Sequence, residues 1–276
     1  MTALEICKRL SDAGIETAKW DTGLLLEHFC GVSQTAAFLD TERDYSNPAL
    51  LAAVERRCLR EPLQYLLGEW EFYRQRYRVT PDCLIPRSDT ELLVEQAIRS
   101  LPQNAFFLDL CTGSGCIAIS TLAERPDTRA IAVDLSEGAI ALARENAERN
   151  GVAGRLTVLR EDLLSPSQEL IAYCKQANAI LSNPPYIRSE VVPTLEREVL
   201  CEPAMALDGG EDGLIFYRAL LSLAKDCLGD GGFCLFEIGY DQGDALRDMA
   251  MHCGFSCEIL RDFGGCDRVA FLRRLA

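Results

Sequence analysis

From Ser88 onward, short apolar runs alternate with helical patterns separated by glycine turns, and this alternation limits what the chain can fold into. Phe106-Phe107-Leu108 reads as a strand and Cys116 to Glu124 as a helix. Ala130 to Val133 reads as a strand, and Ala139 to Asn150 as a helix stopped by Gly151. Leu156–Leu159 and Ala179–Leu181 read as strands, Leu214 to Leu228 as a helix, and Phe233 to Ile238 as a strand. Repeated strand–helix units imply a parallel sheet with helices on both faces. Two last strands, near Cys257–Leu260 and Val269–Leu272, are joined by Gly264-Gly265 and predict a terminal antiparallel hairpin. Ser88-Asp89-Thr90-Glu91 has the pattern of a capping box and predicts a helix start.

The segment before this is different. Leu4, Leu10, Leu24, Leu25, Leu26 and Phe29, then Leu50, Leu51, Val54 and Leu59, recur at helical spacing, with Gly31 and Asn47-Pro48 as punctuation. We expect a helical bundle over 1–68, a hairpin linker over 69–87 rich in aromatic and basic residues, and an α/β domain over 88–276.

In an open α/β sheet, ligands bind at the carboxyl ends of the strands. Asp109-Leu110-Cys111-Thr112-Gly113-Ser114-Gly115 lies at such an end, with two glycines that permit close backbone approach. Asp134 ends the next strand, where a carboxylate can accept from ribose hydroxyls. Asp162 follows the third and is placed to accept from an adenine amine. The loop also satisfies a dinucleotide pattern, Gly113-x-Gly115-x-x-Ala118. On this motif alone, a dinucleotide and S-adenosylmethionine stay equally open. Asp109 tips the balance toward a cationic methyl donor, since an acid beside the loop does not welcome a pyrophosphate.

Asn183-Pro184-Pro185-Tyr186 follows the fourth strand at the same edge. The Asn183 side-chain oxygen and the Pro184 carbonyl are acceptors, and the prolines stiffen the turn. Two fixed acceptors can hold both hydrogens of an NH₂ group and aim its nitrogen. Tyr186 can pack on a flat target. Together the two motifs point to methyl transfer to an amide or amino nitrogen.

Composition narrows the partners. Hydrophobic residues make up 48% and charged residues 25%, as in a packed globular chain. There is no run of about 18 apolar residues, and Met1 to Leu10 carries charges where a secretory leader would be apolar. A cytoplasmic protein without membrane attachment is expected. A net charge of −14 disfavours nucleic acid, although Arg74, Arg76 and Arg78 could form a local patch. Thirteen cysteines without a Cys-x-x-Cys pair, and only two histidines, read as reduced structural thiols and predict no metal.

The motifs resemble the HemK/PrmC family of peptide chain release factor glutamine N5-methyltransferases. The likeness is carried by Ile85-Pro86-Arg87-Ser88-Asp89-Thr90-Glu91, the glycine loop and Ser182 to Ile187. It extends to Glu202-Pro203 with Ala206-Leu207, and to Arg261-Asp262-Phe263 before Arg268-Val269. It implies a Rossmann-like S-adenosylmethionine-dependent methyltransferase domain with a seven-stranded, mostly parallel sheet, plus a helical N-terminal domain that grips the release factor. It implies that the substrate is the Gly-Gly-Gln glutamine of class 1 release factors, and that the cofactor leaves as S-adenosylhomocysteine. By the same resemblance the cofactor would be held by Asp109, Cys111, Thr112, Gly113, Ser114, Gly115, Asp134, Asp162, Leu163 and Asn183. Asn183, Pro184, Pro185 and Tyr186 would hold the glutamine, with Asn183, Pro184 and Tyr186 catalytic. Cys111 stands where the family usually has glycine, Ser88 where it has proline, and Leu163 where an aromatic is common. Two other readings compete: a nucleic-acid amino-methyltransferase sharing the Asn-Pro-Pro-Tyr turn, and a non-catalytic binding module.

Overall fold

The computed structural model describes residues 1–275. The described chain divides into two compact units, one of residues 1–69 with 196–201, the other of residues 70–195 with 202–275.

The first unit is built from five helices: α1 (Ala3–Asp12), α2 (Ala18–Cys30), α3 (Gln34–Leu39), α4 (Pro48–Cys58) and α5 (Leu63–Leu67). Their ends are written in the sequence. Thr2 and Glu5 form a capping box at α1. Asn47 caps α4, with Pro48 in its first turn. Gly31 and Gly68 close α2 and α5 in the left-handed conformation. Ile6, Leu10, Leu25, Leu26, Leu50 and Val54 form the core, whereas Leu4, which shares the helical spacing, faces solvent.

Residues 196–201 join this unit through an ion-pair network for which the sequence carries no periodic signal. Arg57 (6% exposed) donates Nε to Asp21 Oδ2 (2.8 Å) and Nη1 to Glu198 Oε1 (3.1 Å) and to the Glu61 carbonyl (3.1 Å). Arg60 pairs with the same Glu198 oxygen at 3.2 Å. Asp21 is only 2% exposed, so removing its guanidinium partner strands a buried charge. Arg57→Ala is expected to destabilise the helical unit by about 3–5 kcal/mol. The check is the urea midpoint of the helical signal. An unchanged midpoint would show that the network contributes nothing.

A hairpin, β1 (Glu69–Phe72) and β2 (Gln75–Arg78), lies in the second unit from Trp70 on and is turned by Tyr73 and Arg74 at positive φ. Then follow α6 (Glu91–Ser100), β3 (Phe106–Leu110), α7 (Cys116–Glu124), β4 (Arg129–Asp134), α8 (Glu137–Arg149) and β5 (Leu156–Arg160). The chain continues through α9 (Gln168–Cys174), β6 (Ala179–Ser182), α10 (Ile215–Cys227), β7 (Phe233–Glu237), α11 (Gly243–His252), β8 (Phe255–Arg261) and β9 (Asp267–Arg274). Two of these helices, α9 and α11, went unread in the sequence. The seven-stranded sheet runs β5-β4-β3-β6-β7-β9-β8. It is parallel from β5 to β7, and β9 is antiparallel to both β7 and β8. The fold class is the one expected. Strands β3, β6 and β7 are buried on both faces, which explains their continuous apolar runs.

The hairpin is keyed to the sheet domain by Asn146. Its Oδ1 accepts from the Arg78 N–H (2.7 Å), and its Nδ2 donates to the carbonyls of Arg78 (3.1 Å) and Ser114 (3.0 Å). Arg74, Arg76 and Arg78 face Glu124, Glu71 and Glu145, so the suspected basic patch is locally neutralised.

One local expectation fails. Ser88–Thr90 forms a 3-10 turn, and neither that turn nor α6 receives a side-chain cap. Glu91 instead accepts from the Tyr73 N–H (2.9 Å), and Thr90 is drawn to a buried acid described below. Tertiary partners outcompete the local cap.

Candidate active site

The carboxyl ends of β3, β4, β5 and β6 open into a cavity of about 420 Å³, within the usual range for small-molecule sites. Cys111, Thr112, Gly113 and Ser114 form its floor, Asp134 and Asp162–Leu163 one wall, and Asn183 and Pro185 another. The glycine loop and the proline-bearing turn therefore share one hollow.

The loop is held from two sides. Asp134 Oδ2 accepts from the Gly113 N–H (2.9 Å) and Oδ1 from the Ser136 N–H (3.0 Å). Burial nevertheless pushes the Asp134 carboxyl above its ordinary pKa, against those hydrogen bonds. Beneath the loop, Asp109 Oδ2 accepts from Thr112 Oγ1 (2.6 Å) and the Ala118 N–H (3.1 Å). Cys111 sits at φ +60°, a conformation that suits glycine better than a residue with a Cβ. Asp162 Oδ1 accepts from the Leu164 N–H (2.9 Å), which leaves its carboxylate partly free at the cavity wall.

Four residues expected at the site do not line the cavity. Asp109 is fully buried under the loop, and burial raises its carboxyl to about 7 despite the bonds from Thr112 and Ala118. It supports the loop rather than facing a ligand, so the electrostatic argument built on it was misplaced. Gly115 backs onto α8, where an added Cβ would stand 2.8 Å from Ile119 and 3.3 Å from Ala143. It serves helix packing. Pro184 is buried behind the wall, and the Tyr186 hydroxyl turns inward to Glu237 (3.3 Å) rather than outward to a flat target.

Behind the lining, Glu202 is buried, accepts from the Ile85 N–H (2.9 Å) and pairs with Arg87. Asp82, Glu161 and Asp208, which the motif reading missed, also line the cavity. Five carboxylates (Asp82, Asp134, Glu161, Asp162 and Asp208) thus face the hollow against one guanidinium, Arg87, which is already paired. Such a field suits a cationic sulfonium or ammonium and repels a pyrophosphate. Among the described residues no cluster of His, Cys, Asp or Glu could hold a metal ion.

Comparison with known proteins agrees with this chemistry. Residues 4–68 match the PrmC N-terminal domain model and residues 88–224 the methyltransferase small domain model. A release factor glutamine methyltransferase from Geobacter sulfurreducens is 40% identical over 94% of this chain and 91% of its own length. One from Moorella thermoacetica is 38% identical over 96% of this chain and 94% of its own. The chain belongs to the release factor glutamine methyltransferase family. In fold it also resembles a Pyrococcus furiosus methyltransferase (TM-score 0.52, 17% identity, 71% of this chain and 86% of that one). The cofactor of the family and fold is S-adenosylmethionine, which closes the dinucleotide alternative.

Asp134→Ala removes a wall carboxylate and unpins Gly113. It is expected to weaken binding of the methyl donor by about 1–3 kcal/mol, the worth of lost charge-assisted hydrogen bonds. Calorimetric titration with S-adenosylhomocysteine measures it, and unchanged affinity would remove Asp134 from the binding site.

Proposed function

We propose that this chain methylates the side-chain amide nitrogen (N5) of the glutamine in the Gly-Gly-Gln motif of class 1 peptide chain release factors. The observation that carries this reading is that Asn183 and Pro185 line the same acid-walled hollow as the glycine loop. When bound, S-adenosylmethionine supplies an electrophilic methyl group on a sulfonium.

Asp134 would accept from the donor's ribose hydroxyls and Asp162 from its adenine amine, while Leu163 would pack on the base. Cys111 to Ser114 bring backbone close to the donor. The Asn183 side-chain oxygen accepts from the NH₂ of the glutamine amide; Pro184, buried behind the wall, stiffens the turn, and Pro185 stands beside Asn183 in the wall. An amide nitrogen is a weak nucleophile because its lone pair is delocalised. Asn183 aims it and would stabilise the positive charge that develops on nitrogen as it takes up the methyl group. The donor would leave with the S–C bonding pair, and the nitrogen would release one N–H proton to water.

The helical unit, which matches the PrmC N-terminal domain model, is the part assigned to the body of the release factor. A nucleic-acid amino group as substrate is disfavoured by the net charge of −14 and by the pairing of Arg74, Arg76 and Arg78. No helix among the described residues is long and apolar enough to cross a membrane, and we place the protein in the cytoplasm with its substrate.

The test is mass spectrometry of a purified release factor incubated with the protein and methyl donor. A gain equal to one CH₂ on the Gly-Gly-Gln peptide supports the reading. Methyl incorporation into DNA or RNA but not the release factor would overturn it.

A further inference from the structure

A clamp that accepts from an NH₂ group works only if the Asn183 carboxamide presents oxygen, not nitrogen, to the cavity. The two ends of a carboxamide are nearly equal in size, so shape alone does not choose between them. The choice is made by hydrogen-bond partners outside the motif.

Asn183 Nδ2 donates to Thr90 Oγ1 (3.2 Å). Thr90 Oγ1 in turn donates to Glu237 Oε2 (2.5 Å). A hydroxyl has one hydrogen, and here a carboxylate takes it. What remains on Thr90 Oγ1 can only accept, so the group facing it must be the NH₂ of Asn183. The opposite corner, Oδ1, is then left for the cavity that Asn183 and Thr90 both line. Thr90 and Glu237 are each 1% exposed, so solvent does not scramble the pattern. Tyr186 closes the far side by donating to Glu237 Oε1 (3.3 Å).

We infer that Thr90 and Glu237 are positioning residues, a buried relay that orients the Asn183 carboxamide with its oxygen toward the substrate amide. The inference rests on the clamp reading above and adds to it two side chains outside the Asn-Pro-Pro-Tyr motif. They come from the 3-10 turn before α6 and from the end of β7.

The relay depends on Glu237 being ionised. A neutral Glu237 can donate to Thr90, which frees the Thr90 hydrogen for Asn183 and makes the reversed carboxamide equally acceptable. Burial pushes the Glu237 carboxyl up to about 7, against the bond from Thr90 and the Arg268 charge. Asp89 and Arg268 face it, the latter held by Asp89 (3.2 Å) and Asp262 (3.0 Å), along with Tyr186 and the Cys116 thiol on α7. A carboxyl that ionises near neutrality is neutral below that range and charged above it. Turnover should therefore rise with pH through about 7.

The experiment measures kcat at saturating methyl donor for Thr90→Val, Thr90→Ser, Glu237→Gln and Asn183→Ala, with S-adenosylhomocysteine affinity and a thermal midpoint for each. Thr90→Val is expected to lose about tenfold or more in kcat while donor affinity stays within about threefold. Thr90→Ser, which keeps the relay hydrogen, is expected to recover most of the rate. Glu237→Gln should be slow and should lack the acid limb. The inference is overturned if Thr90→Val turns over at the unmodified rate, if Thr90→Ser is as impaired as Thr90→Val, or if Glu237→Gln keeps the acid limb. Asn183→Ala separates the two levels. Full turnover in that variant removes the clamp reading itself. Its loss beside an unimpaired Thr90→Val removes only the relay. Should Thr90→Val prevent folding, Thr90→Ala, which also lacks the relay hydrogen, takes its place under the same expectation.

Discussion

Asn183→Ala is expected to lower methyl transfer by on the order of 10²–10³, or about 3–4 kcal/mol of transition-state stabilisation. The fold should survive. Asn183 is half-buried at the cavity wall, and among the described residues its side chain bonds only to the buried Thr90. Strand β6 before it is secured independently, by its pairing with β3 and by Ser182 Oγ donating to the Leu110 carbonyl (2.6 Å). The loop and the two wall acids assigned above to the donor stay in place, so the loss should fall on kcat rather than on donor affinity. Single-turnover kinetics with a release factor substrate, alongside a titration with S-adenosylhomocysteine, separates the two. Turnover within a few-fold of the unmodified chain would mean that orientation of the amide comes from elsewhere.

The sequence displayed this site unevenly, and the unevenness has physical causes. The sheet was legible because its strands are buried on both faces and read as apolar runs, as Phe106–Leu110 and Phe233–Glu237 do. The glycine loop and Asn183 were legible because backbone conformation and acceptor chemistry demand those residue types. Asp109 was misread because sequence gives its distance along the chain from the loop but not its depth. It lies under the loop, satisfied by Thr112 and Ala118. Thr90 was misread in the opposite sense. Ser88 to Glu91 fits a helix start so well that its local reading hid a bond to a residue 147 positions away. Helix α11, with only Gly243, Leu246 and Ala250 buried, shows too thin an apolar stripe to be seen. Glu198 and the Arg57 network were invisible for a related reason, since a buried ion pair leaves no periodic trace.

The wall behind the clamp was equally unreadable, and it carries the second large prediction. The Tyr186–Ile187 backbone is buttressed by the loop around Asp208. Ile187 N donates to the Leu207 carbonyl (3.0 Å), and Gly209 N donates to the Ile187 carbonyl (2.7 Å). A Cβ at Gly209 would stand 2.7 Å from Tyr186 Cα, 2.8 Å from the Pro185 oxygen and 2.9 Å from the Tyr186 carbonyl carbon. All three are backbone atoms of the clamp, so no flexible side chain can yield. Gly213 makes the same demand at φ +73°, with a Cβ position 2.4 Å from the Tyr186 oxygen that Gln242 Nε2 holds at 3.0 Å. Gly209→Ala must therefore push the Pro185–Tyr186 peptide toward the cavity or break the bond to Ile187. A displacement near 1 Å at a positioning group costs on the order of 10²-fold in rate, and that loss is the expected result for kcat. Donor affinity should change by only a few-fold, since the floor and the Asp134 wall lie on other strand ends. Gly154→Ala, where a Cβ meets nothing within 4 Å, is the matched control and should be neutral. Equal rates for Gly209→Ala and Gly154→Ala would show that the clamp tolerates displacement, and catalysis by orientation would then be the wrong account of this site.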